Sequence, residues 1–120
     1  MKRILIVDDS ESIRELLGFT LESAGYAVEK GCDGVEAIGL LNGLEVSMVI
    51  TDLNMPNMDG IQLIREIRKK QEYATVPILM LTTESQAAKK EEAKAAGATG
   101  WIVKPFVQEK LLEVVNKVIR

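Results

Sequence analysis

Four short apolar runs recur along the chain, at residues 4–7, 48–50, 78–81 and 101–103. Each is too short for a helix and rich in branched side chains, so the pattern predicts strands. Because the runs are continuously apolar, both faces of each strand are expected to be buried, as in a parallel sheet covered by helices. A fifth run, Tyr26-Ala27-Val28-Glu29-Lys30, mixes apolar and charged residues and reads as an edge strand that resists pairing with another sheet.

Between these runs the spacing changes to that of helices. Ile13, Leu16, Leu17, Leu21 and Ala24 follow a 3.6-residue period that stops at Gly25. Ile38 and Leu41 mark a short second helix, Leu63, Ile64 and Ile67 a third, and Leu111, Leu112, Val115, Val118 and Ile119 the last. The third is expected to start at Asp59-Gly60, with Asp59 as its cap. A fourth helix over residues 84–96 is built of Ala, Lys, Glu and Gln, and Thr83 with Gln86 has the spacing of a capping box. It lacks a large apolar anchor and is expected to be loosely held. Strands alternating with helices imply right-handed crossovers. The predicted fold is therefore α/β, a doubly wound five-stranded parallel sheet of flavodoxin-like order 2-1-3-4-5, flanked by five helices.

Composition narrows the function. With 120 residues, 47% hydrophobic and 28% charged, the chain suits one compact domain over residues 1–120. No apolar run approaches a membrane span and no signal-peptide pattern follows Met1, so a cytoplasmic location is expected. There is no histidine, which excludes Ser-His-Asp and Cys-His catalysis, His-ligated zinc and a phosphohistidine on this chain. The single Cys32 reads as structural. A net charge of −3 without a basic stripe argues against direct nucleic-acid binding.

In a doubly wound sheet ligands bind beyond the carboxyl ends of the strands. Those ends carry Asp8-Asp9, Asp52, Thr82-Thr83 and Lys104-Pro105. Three crowded carboxylates raise one another's pKa unless a cation neutralises them. Mg²⁺, with Mn²⁺ able to substitute, suits one or two carboxylates plus phosphate oxygens, with Asp9 and Asp52 as direct ligands. Asp52 is ionised at neutral pH and can attack a phosphoryl donor without a general base. Lys104 is expected to pair with a phosphoryl oxygen, and the Thr82 hydroxyl to bond another. Met55, Met58, Met80 and Phe106 read as packing residues.

Asp8-Asp9, the run Asp52-Leu-Asn-Met-Pro-Asn-Met-Asp-Gly60, Thr82 and Lys104-Pro105-Phe106 together resemble the receiver domain of two-component response regulators, over essentially the whole chain. The resemblance implies that Asp52 is the phosphoacceptor, that Asp8 (through water) and Asp9 organise Mg²⁺ with the Asn54 backbone carbonyl, and that Thr82 and Lys104 read the phosphoryl group. It also implies a cis Lys104-Pro105 peptide. Asn54 and Glu84 resemble the pair that tunes hydrolysis in chemotaxis regulators of the CheY type. On that resemblance the chain is a monomeric signalling switch with only weak autophosphorylation and autodephosphorylation. It is phosphorylated by a CheA-like histidine kinase and signals through helix 4, strand 5 and helix 5 to the flagellar motor switch or a phosphatase. Trp101 stands where the family commonly has a Tyr or Phe that changes rotamer, so that coupling is not carried over. The alternatives are a receiver in a non-chemotaxis phosphorelay, or a degenerate receiver acting only as a binding module. An FMN carrier lacks its phosphate loop, and an aspartyl phosphatase lacks the chain length for a cap.

Overall fold

The computed structural model describes residues 1–119. Five strands, β1 (Arg3–Val7), β2 (Ala27–Gly31), β3 (Met48–Thr51), β4 (Ile78–Thr82) and β5 (Gly100–Val103), alternate with α1 (Glu11–Ser23), α2 (Gly34–Leu40), α3 (Gly60–Lys69), α4 (Ala87–Ala96) and α5 (Gln108–Val118). All strand pairs are parallel and the order is β2-β1-β3-β4-β5, as the spacing predicts.

The pleat explains how short apolar runs feed two cores. Successive strand side chains point to opposite faces. Leu5, Val7, Val49, Ile78 and Met80 pack on one side with residues of α2, α3 and α4, including Ala37, Leu63, Ile64, Ile67 and Ala93. Ile4, Ile6, Met48, Ile50, Leu79 and Leu81 pack on the other with Leu17 and Leu21 of α1 and Leu111 and Val115 of α5. Met55, Met58 and Phe106 pack against these clusters and Met80 is inside one, so all four serve packing.

Local sequence sets most helix ends. The Ser10 side chain caps α1 by accepting from Ile13 N, and the chain leaves that helix through Gly25 at φ +97°, a left-handed geometry that glycine adopts without steric cost. Asp59 and Gln62 form a reciprocal capping box at the start of α3.

Two expectations fail. The fourth helix begins at Ala87 instead of residue 84, and Gln86 stands at its N-cap without a side-chain cap bond. Gln86 N, the donor that the Thr83 hydroxyl would have accepted in a Thr83–Gln86 box, goes instead to the Glu84 carboxylate, while Glu84 N donates to the Thr82 hydroxyl. Second, β5 is not buried on both faces: Trp101 and Ile102 are half-buried and Val103 is 39% exposed. The strand order places β5 at the second edge of the sheet, where helices cover it incompletely.

Candidate functional site

The site forms because β1, β3, β4 and β5 all end at the same rim. Parallel pairing registers those ends: Asp52 N donates to the Val7 carbonyl at 2.9 Å, and Lys104 N to the Thr82 carbonyl at 2.8 Å. Asp8, Asp9 and Asp52 thereby converge, each offering a carboxylate oxygen within 4.8 Å of the others. Asp8 and Asp52 are buried at 1% and 9% exposure, while Asp9 is open to solvent.

Lys104 reaches into this cluster from the far end of the chain. Its ammonium lies 2.7 Å from Asp8 Oδ2 and 3.3 Å from Asp52 Oδ2. The second oxygen of each acid is held by backbone, Asp8 Oδ1 by Ser10 N at 2.9 Å and Asp52 Oδ1 by Leu53 N at 2.7 Å. Burial pushes the Asp8 carboxyl above the usual carboxylate value, against the opposing pull of its hydrogen bond with Lys104. One ammonium does not balance three carboxylates, and the free coordination on exposed Asp9 faces the same centre. The donor set, all oxygen and clustered at single-ion distance, fits a hard divalent cation.

The backbone is tightly fitted here. A Cβ on Gly60 would stand 2.2 Å from the Asp52 carbonyl oxygen, so only glycine lets α3 start beneath the Asp52–Leu53 segment. Gly60 N donates to the Leu53 carbonyl at 2.8 Å, closing the β3–α3 loop, and Asn57 takes the left-handed conformation at φ +70° within it. Asn54 lies exposed on that loop, two residues beyond Asp52. The Lys104–Pro105 peptide is cis.

Thr82 is fully buried at the end of β4, whereas Thr83 beside it is exposed. The Thr82 hydroxyl accepts from Glu84 N at 3.2 Å, which leaves its own hydrogen to donate. Glu84 is half-buried in the β4–α4 loop, and the Trp101 indole N–H donates to its carbonyl at 3.0 Å. Asp8, Asp9, Asp52 and Lys104 therefore form one cluster, with Thr82 on the neighbouring strand end, and Glu84 and Trp101 form a second pair joined to Thr82. Sequence reasoning missed Arg14, whose guanidinium donates to the Asp8 carbonyl and fixes the β1–α1 turn. A cation six residues beyond an acid on a helix is too common a pattern to have signalled this.

The response regulator receiver domain family matches residues 4–116, with every residue of the cluster inside the match. The chain belongs to this family. Among solved structures it is similar to the chemotaxis protein CheY4 of Vibrio cholerae, at 47% identity over 98% of both chains and a TM-score of 0.95. It is also similar to the response regulator TrrA of Thermotoga maritima in complex with Mg²⁺ and BeF, at 36% identity, 98% of this chain, 99% of that one and a TM-score of 0.88. Chemotaxis protein CheY-3 of Vibrio cholerae is 38% identical over 97% of this chain and 90% of its own length. The DNA-binding dual master transcriptional regulator RpaA of Synechocystis is 35% identical over the whole chain, which spans only 50% of that relative. Receiver domains of two-component systems are signalling switches, and their acidic pocket binds Mg²⁺. Among the described residues no helix is long and apolar enough to cross a membrane.

Proposed function

We propose that this receiver is a phosphorylation switch with Asp52 as its phosphoacceptor, acting in the cytoplasm in a chemotaxis pathway. The observation that carries the reading is the ordered convergence of Asp8, Asp9, Asp52 and Lys104 at one strand-end rim. Asp8, Asp9, Asp52 and the Asn54 carbonyl are the residues that would hold Mg²⁺. A bound Mg²⁺ supplies charge neutralisation to the transferring oxygens.

The chain's own groups do the rest. A carboxylate oxygen of Asp52 attacks phosphorus as the bond to the donor's leaving group breaks, and in-line displacement needs no base because the nucleophile is already an anion. Lys104, poised between Asp8 and Asp52, moves its charge onto a phosphoryl oxygen. Thr82 donates its free hydroxyl hydrogen to another. Water later cleaves the acyl phosphate, with Asn54 and Glu84 flanking its approach and setting the lifetime. The donor is a phosphohistidine on a CheA-like kinase, and the output is a face of α4, β5 and α5 presented to a flagellar motor switch or phosphatase. The chemotaxis assignment rests on Asn54, Glu84 and the likeness to the two chemotaxis proteins.

Mass spectrometry after treatment with acetyl phosphate and Mg²⁺ tests the acceptor. A hydroxylamine-labile phosphoryl adduct is expected on Asp52 in the native chain, with none in Asp52→Asn. An adduct that persists in Asp52→Asn overturns Asp52 as the acceptor, and none in either chain overturns the switch and leaves a binding module.

A further inference from the structure

Residue 84 is gripped from both sides. Its N–H is held by the Thr82 hydroxyl at 3.2 Å and its carbonyl by the Trp101 indole N–H at 3.0 Å. These two bonds make a continuous link from the end of β4 across the loop to β5. The loop has little else to fix it, since α4 lacks a side-chain cap and buries only Ala93. Trp101 also forms a wall of a groove of about 220 Å³ between α4 and β5, with Lys90, Ala93, Lys94 and Thr99 among its other walls.

The chemistry of each group determines whether the link survives phosphorylation. A hydroxyl donates once and accepts twice, so Thr82 can donate to a phosphoryl oxygen without releasing Glu84 N. The indole donor sits on the side of a large ring packed against the α3–α4 side of the core. Turning that ring outward would both strip apolar surface and abandon the Glu84 carbonyl. Keeping the bond costs neither.

We infer that Trp101 is a positioning residue that keeps its hydrogen bond to Glu84 in both states of the switch, so that movement of Thr82 passes through the residue-84 peptide to the α4–β5 groove while the ring stays in place. The inference rests on Asp52 being the acceptor. It differs from a rotamer exchange, in which the aromatic side chain leaves one site for another.

Trp101 is the chain's single tryptophan and gives one indole N–H signal. In the full ¹⁵N-labelled chain, amide shifts and indole hydrogen exchange are recorded before and after beryllofluoride with Mg²⁺, in the native protein and in Trp101→Phe, which keeps a ring and loses the donor. In the native chain the amides of Asp52, Thr82 and Lys104 should shift, and the indole exchange rate should stay within about threefold. In Trp101→Phe the shifts at Asp52 and Thr82 should persist, while those of the groove residues fall by about half or more. An indole exchange rate that rises about tenfold or more on adding beryllofluoride overturns the inference, even if the variant fails to fold. So do groove shifts that survive unchanged in a folded Trp101→Phe. If Asp52 and Lys104 do not respond in the native chain, the acceptor assignment fails first and the relay falls with it.

Discussion

Asp8 illustrates how one buried acid serves a site at a cost to the fold. It is 1% exposed and its carboxyl is held above the usual value by burial, with Lys104 offsetting only part of that. An acid whose pKa is raised on folding stabilises fully below its unfolded value of 3.8, and that contribution is lost as pH rises through the folded value. At pH 7 the ionised group therefore opposes folding when no metal is present. In EDTA, Asp8→Asn should raise the unfolding free energy at pH 7 by on the order of 1 kcal/mol, measured by urea titration. The gain should shrink as pH falls toward 3.8. The same variant should lose Mg²⁺ affinity, read from Trp101 fluorescence. A destabilised Asp8→Asn at pH 7 would mean that its bond to Lys104 outweighs desolvation. Gly60 acts in the opposite direction, by what it lacks: Gly60→Ala sets a methyl 2.2 Å from the Asp52 carbonyl oxygen and should cost roughly 1–3 kcal/mol while disturbing the Asp52–Leu53 backbone.

At the scale of elements, α4 is held by unusual means. With only Ala93 buried, its C-terminal end is fastened by Arg68 of α3, which donates to the Gly97 carbonyl at 2.7 and 3.2 Å and to the Tyr73 carbonyl at 2.9 Å. Its N-terminal end depends on the Glu84 loop. One firm end and one weak end make a lever. Arg68→Ala should destabilise the domain by roughly 1–3 kcal/mol. It should speed amide exchange in α4 more than in α3, with Mg²⁺ binding unchanged. Equal acceleration in both helices would show that Arg68 supports the fold generally. The composition of α4 made its weak anchoring legible, but its start was misread. Thr83 and Gln86 have the spacing of a cap, and nothing in the sequence reveals that the Glu84 carboxylate claims Gln86 N first. The apolar run of β5 likewise hid its exposure, since its composition matches an interior strand and only the sheet order puts it at an edge.

Over the whole molecule, sequence legibility followed the range of the interaction. Strand order, the two-sided core and the acids of the rim could be read because alternation of period and position at strand ends are local signals. The choice of Asp8 over Asp52 as the closer partner of Lys104, and the Trp101–Glu84 bond, depend on how β1, β3, β4 and β5 stack, and no local pattern encodes them. Because the site is shared by strands across the sheet, ligand bound there stabilises the entire fold. Beryllofluoride with Mg²⁺ at about 100 times its dissociation constant should add about 2.7 kcal/mol to the unfolding free energy. Asp52→Asn should show none of that increment in the same urea titration; a full increment would place the ligand elsewhere.

The ion pair between Lys104 and Asp8 joins residues 96 positions apart. A nascent chain emerging from the ribosome thus displays its acids long before the ammonium that answers them exists. Until β5 has been synthesised and has docked on β4, Asp52 has no Lys104 beside it and the β4–α4 loop has no indole to hold it. The charge pairing of the rim is therefore complete only once the last strand has docked, although its three acids are made much earlier.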